Sequence, residues 1–145
     1  MRLTLHTDYA LRLLMHLALA PEKRVTIAEV SDAFAISRNH LTKVAHELGK
    51  AGFVETLRGR GGGLRLARPA EEIVIGDVVR AMEEDFRIVE CFDRDTNGCC
   101  IAPACRLKRV LKDALDAWLA VLDRATLGDL VANPRPLRRL LALAG

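Results

Sequence analysis

Two helix-start signals follow each other closely in this chain, and a glycine-rich basic turn comes soon after them. Thr26-Ile27-Ala28-Glu29 has capping-box spacing, in which the threonine hydroxyl and the glutamate carboxylate each accept a free amide hydrogen at a helix start. That short helix is expected to end near Ala33. Phe34-Ala35-Ile36 then makes a tight link to Ser37, a good N-cap for a third helix that buries Leu41, Val44, Ala45 and Leu48 and closes at Gly49 or Gly52. Phe53 to Leu57 and Leu64 to Ala67 flank Arg58-Gly59-Arg60-Gly61-Gly62-Gly63, which predicts a β-hairpin with a cationic tip. Ahead of all this, Leu11, Leu14, Ala18 and Leu13, Leu17 recur at helical steps, so an amphipathic helix is expected from Asp8 to Ala20, ended by Pro21. Helix, capped short helix, capped helix and hairpin, in that order, make a winged helix-turn-helix.

Beyond the hairpin, Asp77 to Glu84 is expected to be a short helix with Val78 and Met82 inward. A cysteine-bearing loop follows from about Arg87 to Ala104. Pro103 suits a first helical position, so a long helix is expected from there to about Ala125. Its Leu107, Leu111, Ala114, Trp118, Val121 and Ala125 advance by alternating steps of four and three, the spacing of a coiled-coil seam, and favour a homodimer over burial in the chain's own core. Short helices are expected over Leu127 to Val131 and Leu137 to Leu143. With 4% aromatic residues and abundant Leu and Ala, the chain reads as mainly α. Three regions result: a DNA-binding region over residues 1–70, a connecting helix and cysteine loop over 71–104, and a dimerisation helix with a C-terminal segment over 105–145.

The net charge of +3 is unevenly spread. Residues 1–70 hold 11 Lys and Arg against 6 Asp and Glu, whereas residues 71–145 hold 11 against 13. Together with the winged-helix order, the basic first half points to double-stranded DNA. Arg38, Asn39 and His40 stand at the start of the recognition helix behind Ser37, where arginine can fork onto guanine and asparagine onto adenine. Lys43 is placed to meet phosphate. Arg58 and Arg60 are placed for a minor groove or for phosphate, with Gly62 and its neighbours letting the backbone approach closely. His46 lies further along and reads as a surface or packing residue.

Asp8, Arg12 and His16 interrupt the first apolar stretch, so Ala18-Leu19-Ala20 reads as helix rather than as a leader cleavage site. No apolar run approaches the roughly 18 residues of a membrane span. The expected location is the cytoplasm, with no membrane partner. An enzyme is not expected: Gly61 to Gly63 lacks the following Lys-Ser/Thr of a phosphate loop, and His6, His16, His40 and His46 show no catalytic partner.

All four cysteines, Cys91, Cys99, Cys100 and Cys105, fall in one short stretch. Such a cluster in a cytosolic chain reads as metal or redox chemistry. Soft thiolates near a helix start suit iron-sulfur iron or zinc, and the helix dipole favours an anionic cluster. Spacing alone leaves iron-sulfur, zinc and metal-free thiol redox open.

The chain resembles the iron-sulfur winged-helix repressors that include IscR, RirA and NsrR, and within them the nitric-oxide-sensing NsrR type most. The resemblance is carried by Thr7-Asp8-Tyr9-Ala10-Leu11-Arg12, Ser37-Arg38-Asn39-His40, the wing from Val54 to Leu66, Ile75 to Arg80, Ile101 to Lys108 and Thr126 to Val131. It implies an operator-binding homodimeric repressor that reads an inverted repeat. It also implies an iron-sulfur cluster, 4Fe-4S in preference to 2Fe-2S, held by Cys91, Cys99 and Cys105, with Cys100 at a position that is not a ligand elsewhere. IscR-like members carry a histidine where this chain has Lys108. The resemblance to the NsrR type instead implies Asp8, contributed by the partner subunit, as fourth ligand, and nitric oxide as the signal. The seven-residue gap between Cys91 and Cys99 is shared with RirA-type iron sensors, so an iron or redox response is the second reading. A zinc-stabilised interaction module is the alternative of a different class.

Overall fold

The computed structural model describes residues 2–143. It contains α1 (Leu5–Leu19), α2 (Ile27–Phe34), α3 (Arg38–Lys50), β1 (Val54–Leu57), β2 (Gly63–Leu66), α4 (Ile75–Met82), α5 (Arg106–Leu122), α6 (Leu127–Leu130) and α7 (Pro134–Leu140). This is the expected mainly helical winged helix-turn-helix.

Helix α1 starts earlier than the expected Asp8. Thr4 is its N-cap, accepting from the Thr7 amide at 3.2 Å, so Asp8 lies within the first turn. Ala10, Leu13, Leu14 and Leu17 line its buried face. Helix α2 opens on the complete capping box: the Glu29 amide reaches Thr26 Oγ1 at 3.2 Å, and the Thr26 amide reaches Glu29 Oε2 at 2.7 Å. Ala35, in the left-handed region at φ 53°, turns the chain into α3. Leu41, Val44, Ala45 and Leu48 are buried there as expected. Gly52, at φ 76°, follows the helix and leads into the hairpin.

β1 and β2 pair antiparallel, with Val54 opposite Leu66 and Leu57 opposite Gly63. A third strand position, absent from the sequence reading, completes the wing: Val25 exchanges two backbone hydrogen bonds with Leu64, at 3.0 and 2.7 Å. Val25 and Leu64 are both buried, which ties the base of the wing to the helical core.

Helix α4 spans Ile75–Met82 rather than Asp77 to Glu84, because the chain enters it from a backbone bridge between Val74 and Thr126. Val78 and Met82 point inward as expected. The long helix does not begin at Pro103. Pro103 sits in a separate 3-10 turn, Ala102–Ala104, and Cys105 is the N-cap of α5. Pro134 and Pro136 lie inside α7, where proline at a first helical turn forfeits no internal bond.

Helix α5 has two apolar faces. Leu115 is buried, while Trp118 and Leu122 pack on the core, Trp118 with its ring 6.5 Å from that of Phe86. Leu107, Val110, Ala114, Ala117 and Val121 remain exposed, at heptad steps of three and four. This exposed stripe shares Leu107, Ala114 and Val121 with the expected seam, whereas Trp118 and Ala125 serve the chain's own core.

Candidate nucleic-acid interface and cysteine loop

Ser37 fixes the start of the recognition helix, its Oγ accepting from the His40 amide at 3.3 Å. An N-cap of this kind contributes about 1 kcal/mol to helix stability. Arg38, Asn39, His40 and Lys43 are all exposed, while Leu41 and Val44 of the same helix are buried. His40 also leans on Tyr9 of α1, with ring centroids 6.1 Å apart. His46 is exposed on the same helix.

Internal pairing sorts the cations of this region. Lys50 meets Glu47 at 3.0 Å and Arg65 meets Glu55 at 2.7 Å, while Arg68 lies over the Phe53 ring and donates to the Gly52 carbonyl. Lys43, Arg58 and Arg60 have no ion-pair partner among the described residues, and Arg38 approaches Asp32 only at 4.0 Å. The uncommitted positive charge thus belongs to the residues placed for DNA, on the recognition helix and on the wing tip.

The wing tip is a tight turn. Gly59 and Gly61 adopt φ of 96° and 75°, and the Gly62 amide donates to the Gly59 carbonyl at 2.9 Å. A Cβ on Gly62 would stand 2.4 Å from the Leu57 carbonyl oxygen, so only glycine fits there. Arg24, just before the third strand, donates to the Gly61 carbonyl at 3.1 Å and holds the tip from below. Sequence reading missed Arg24, since nothing local marks a residue that acts 37 positions away.

The cysteine loop runs from the end of α4 to the start of α5. Cys91 lies in a 3-10 turn, Glu90–Phe92; Cys99 precedes the turn that carries Pro103, and Cys105 caps α5. Polar clasps draw the arms of the loop together. Glu90 Oε1 accepts from the Gly98 amide at 2.7 Å, pairing the neighbours of Cys91 and Cys99. Asp93 gathers the Asp95 amide at 2.9 Å, the Thr96 hydroxyl at 2.8 Å and the Arg87 guanidinium, and these donors hold its carboxyl down at about 2. Between Cys99 and Cys105, the Ala102 amide donates to the Cys99 carbonyl and the Cys105 amide to the Ala102 carbonyl.

Cys91, Cys99 and Cys105 are free and half-buried, and Cys100 is free and exposed. Cys105 makes no side-chain cap bond, so the first amides of the 17-residue α5 have no side-chain cap beside its thiol. Three soft thiols on one loop, one of them at the start of α5, fit an anionic iron-sulfur cluster by the chemistry of their donors. Among the described residues, however, no three His, Cys, Asp or Glu side chains are gathered as a metal-holding group. Asp8 lies in the first turn of α1, partly exposed and paired with Arg12 at 2.7 Å.

The profile of the family described as Rrf2, iron-dependent transcriptional regulator, matches residues 3–133. This chain belongs to the Rrf2 family of transcriptional regulators. It is 55% identical to the HTH-type transcriptional regulator NsrR of Shouchella clausii, over 97% of this chain and 95% of that one. Against the NsrR of Bacillus subtilis the identity is 52%, over 99% of both. The solved structure described as T. potens IscR superposes with a TM-score of 0.75 over 95% of this chain and 91% of that one, at 24% identity, and so shows the shared fold. The resemblance drawn from the motifs thus extends over the full chain. As an Rrf2 member the chain is a transcriptional regulator and not an enzyme, and among the described residues no helix is long and apolar enough to cross a membrane.

Proposed function

We propose that this Rrf2 regulator is a cytoplasmic, homodimeric repressor whose operator binding is governed by an iron-sulfur cluster that responds to nitric oxide. The observation that carries the reading is the set of three free, half-buried thiols, Cys91, Cys99 and Cys105, on a loop whose last thiol caps a long helix. The likeness over nearly the whole chain to regulators named NsrR supports nitric oxide as the signal.

In this reading Ser37 sets the recognition helix, and Arg38 and Asn39 read base edges. His40 stands with them at the helix start, Lys43 meets the flanking backbone, and Arg58 and Arg60 are delivered by the glycine turn around Gly62. Two copies pair along the exposed seam of Leu107, Val110, Ala114, Ala117 and Val121, so the operator is an inverted repeat. Cys91, Cys99 and Cys105 hold the cluster, 4Fe-4S in preference to 2Fe-2S, and Asp8 of the partner subunit supplies the fourth ligand. When bound, such a cluster would supply iron open to a small diatomic ligand, since a carboxylate is a weaker match to that iron than a thiolate. Cys105 ties the site to α5, and Asp8 ties it to the partner's winged body. Loss of the site therefore changes how the two bodies are held.

The test is anaerobic reconstitution with iron and sulfide, followed by visible absorption and elemental analysis. Wild type and Cys100→Ala are expected to gain the absorption, and Cys91→Ala, Cys99→Ala and Cys105→Ala to lose it. Zinc without visible absorption in the wild type would replace this reading with a zinc-stabilised module.

A further inference from the structure

The C-terminal end of α5 is seated on α4 with unusual closeness. Arg80 Nη1 and Nη2 donate to Asp123 Oδ1 and Oδ2 at 2.6 and 2.8 Å, a two-point guanidinium-carboxylate pair. Beneath it lies Gly76, and a Cβ there would stand 1.9 Å from Asp123 Oδ1. The carboxylate thus occupies the space that a side chain at position 76 would fill. The backbone reinforces the seat, since the Ile75 amide donates to the Ala125 carbonyl at 2.9 Å and the Leu127 amide to the Ile73 carbonyl at 2.8 Å.

The seat has leverage. Helix α4 buries Val78, Val79 and Met82 in the core that also holds α1 and α3, so it moves with the recognition helix. Helix α5 carries the free seam, and its outer end bears Leu107 and Val110, both exposed. A 17-residue helix is about 25 Å long, so a tilt of about 10° at Asp123 displaces its far end by about 4 Å, close to one base-pair step.

We propose that Gly76, Arg80 and Asp123 are positioning residues for operator binding: their seat sets the angle of α5 on the winged body, and hence the half-site spacing that the dimer accepts. The proposal rests on the reading above that two copies pair through α5 and bind an inverted repeat. Both partners of the ion pair are about 40% exposed, so the pair contributes little to stability itself, and its removal leaves the fold intact.

The experiment uses cluster-reconstituted protein under anaerobic conditions and an inverted-repeat duplex selected by the wild type from a random pool. Versions with one base pair added or removed between half-sites, and an isolated half-site, complete the set. Wild type is expected to lose about tenfold in affinity on either spacing change. Asp123→Ala, Arg80→Lys and Gly76→Ala are expected to bind the three spacings within about threefold of one another, with half-site affinity unchanged. Arg80→Lys keeps the charge but not the two-point geometry, and Gly76→Ala keeps both charged groups while expelling the carboxylate, so agreement among the three variants identifies the seat. Melting curves check that each variant folds. Variants that keep the wild-type spacing preference, or that lose affinity equally on all duplexes and the half-site, overturn the proposal. A wild type that shows no spacing preference itself overturns the inverted-repeat reading, a distinct outcome that removes the proposal with it.

Discussion

Asp8 and Arg12 are joined across one turn of α1 by two contacts, Arg12 Nη2 to Asp8 Oδ2 at 2.7 Å and Arg12 Nε to Asp8 Oδ1 at 3.1 Å. Both side chains are about two-fifths exposed, so the pair contributes no more than about 1 kcal/mol to the fold. Asp8 is therefore free to exchange Arg12 for another partner at small cost. Asp8→Ala is expected to melt within a few degrees of wild type without a cluster. When loaded, it should hold a more labile cluster and bind operator less tightly. Loaded Asp8→Ala with wild-type cluster lifetime and operator affinity would leave Asp8 as a surface ion pair only.

Base readout is expected to reside in α3. Arg38→Ala should cost about 1 to 3 kcal/mol of operator affinity and relax the preference at one base position, and Asn39→Ala should relax another. Arg60→Ala should weaken binding to all sequences and lower the slope of affinity against salt by about one. Binding measured over a set of single-base operator variants and several salt concentrations separates the two effects. Unchanged preference in both α3 variants would move recognition elsewhere.

The wing gives a sharper steric case. A methyl group at position 62 would meet the Leu57 carbonyl at 2.4 Å and the Gly59 carbonyl at 2.9 Å, both backbone atoms that cannot swing away. Gly62→Ala should open the turn, displace Arg58 and Arg60, and reduce operator affinity more than Arg60→Ala does. The core around Leu14 and Leu48 should keep its melting temperature nearly unchanged. Equal affinity of Gly62→Ala and wild type would show that the tip conformation does not matter for binding.

His16 makes a pH-dependent prediction. It is 1% exposed, stacks edge-on against Phe34, and has no hydrogen-bond partner at Nδ1. Burial lowers its pKa below 6.5; Glu29 raises it in opposition, and Lys23 lowers it further. The unfolded chain therefore binds a proton at position 16 before the folded chain does, and stability is lost as pH falls from 6.5 towards the lowered value. Glu29 adds a separate loss at more acid pH, because Lys23 and Thr26 hold its carboxyl down at about 2, so its contribution fades between about 4.5 and 2. His16→Leu should flatten the upper phase of a stability-against-pH curve and leave the lower one. An unchanged upper phase would mean that another group titrates there.

The elements that the sequence predicted well are those whose signals are local. The capping box at Thr26 and Glu29, the N-cap at Ser37 and the glycines of the wing each act within a few residues, and each appears where expected. The first helix was placed too late because Asp8 resembles a cap as closely as Thr4 does, and only the fold shows which one accepts the amide. The expected seam of α5 mixes residues of two stripes for a different reason. Both Leu107-Val110-Ala114-Val121 and Leu111-Leu115-Trp118-Leu122 follow helical steps, and periodicity cannot say which stripe faces the chain's own core. Pairings across long separations, such as Val25 with Leu64 or Arg80 with Asp123, leave no local trace at all. The cysteines stand out by type and spacing, while among the described residues no three His, Cys, Asp or Glu side chains are gathered as a metal-holding group.

The most direct test of the account is operator binding by anaerobically loaded protein during titration with nitric oxide, with visible absorption followed in the same samples. Loaded wild type is expected to bind the inverted repeat, and affinity should fall in step with loss of the cluster absorption. Cys105→Ala should bind weakly throughout and show no response. Wild-type affinity that stays constant while the cluster absorption disappears would contradict the central claim that the cysteine site governs DNA binding.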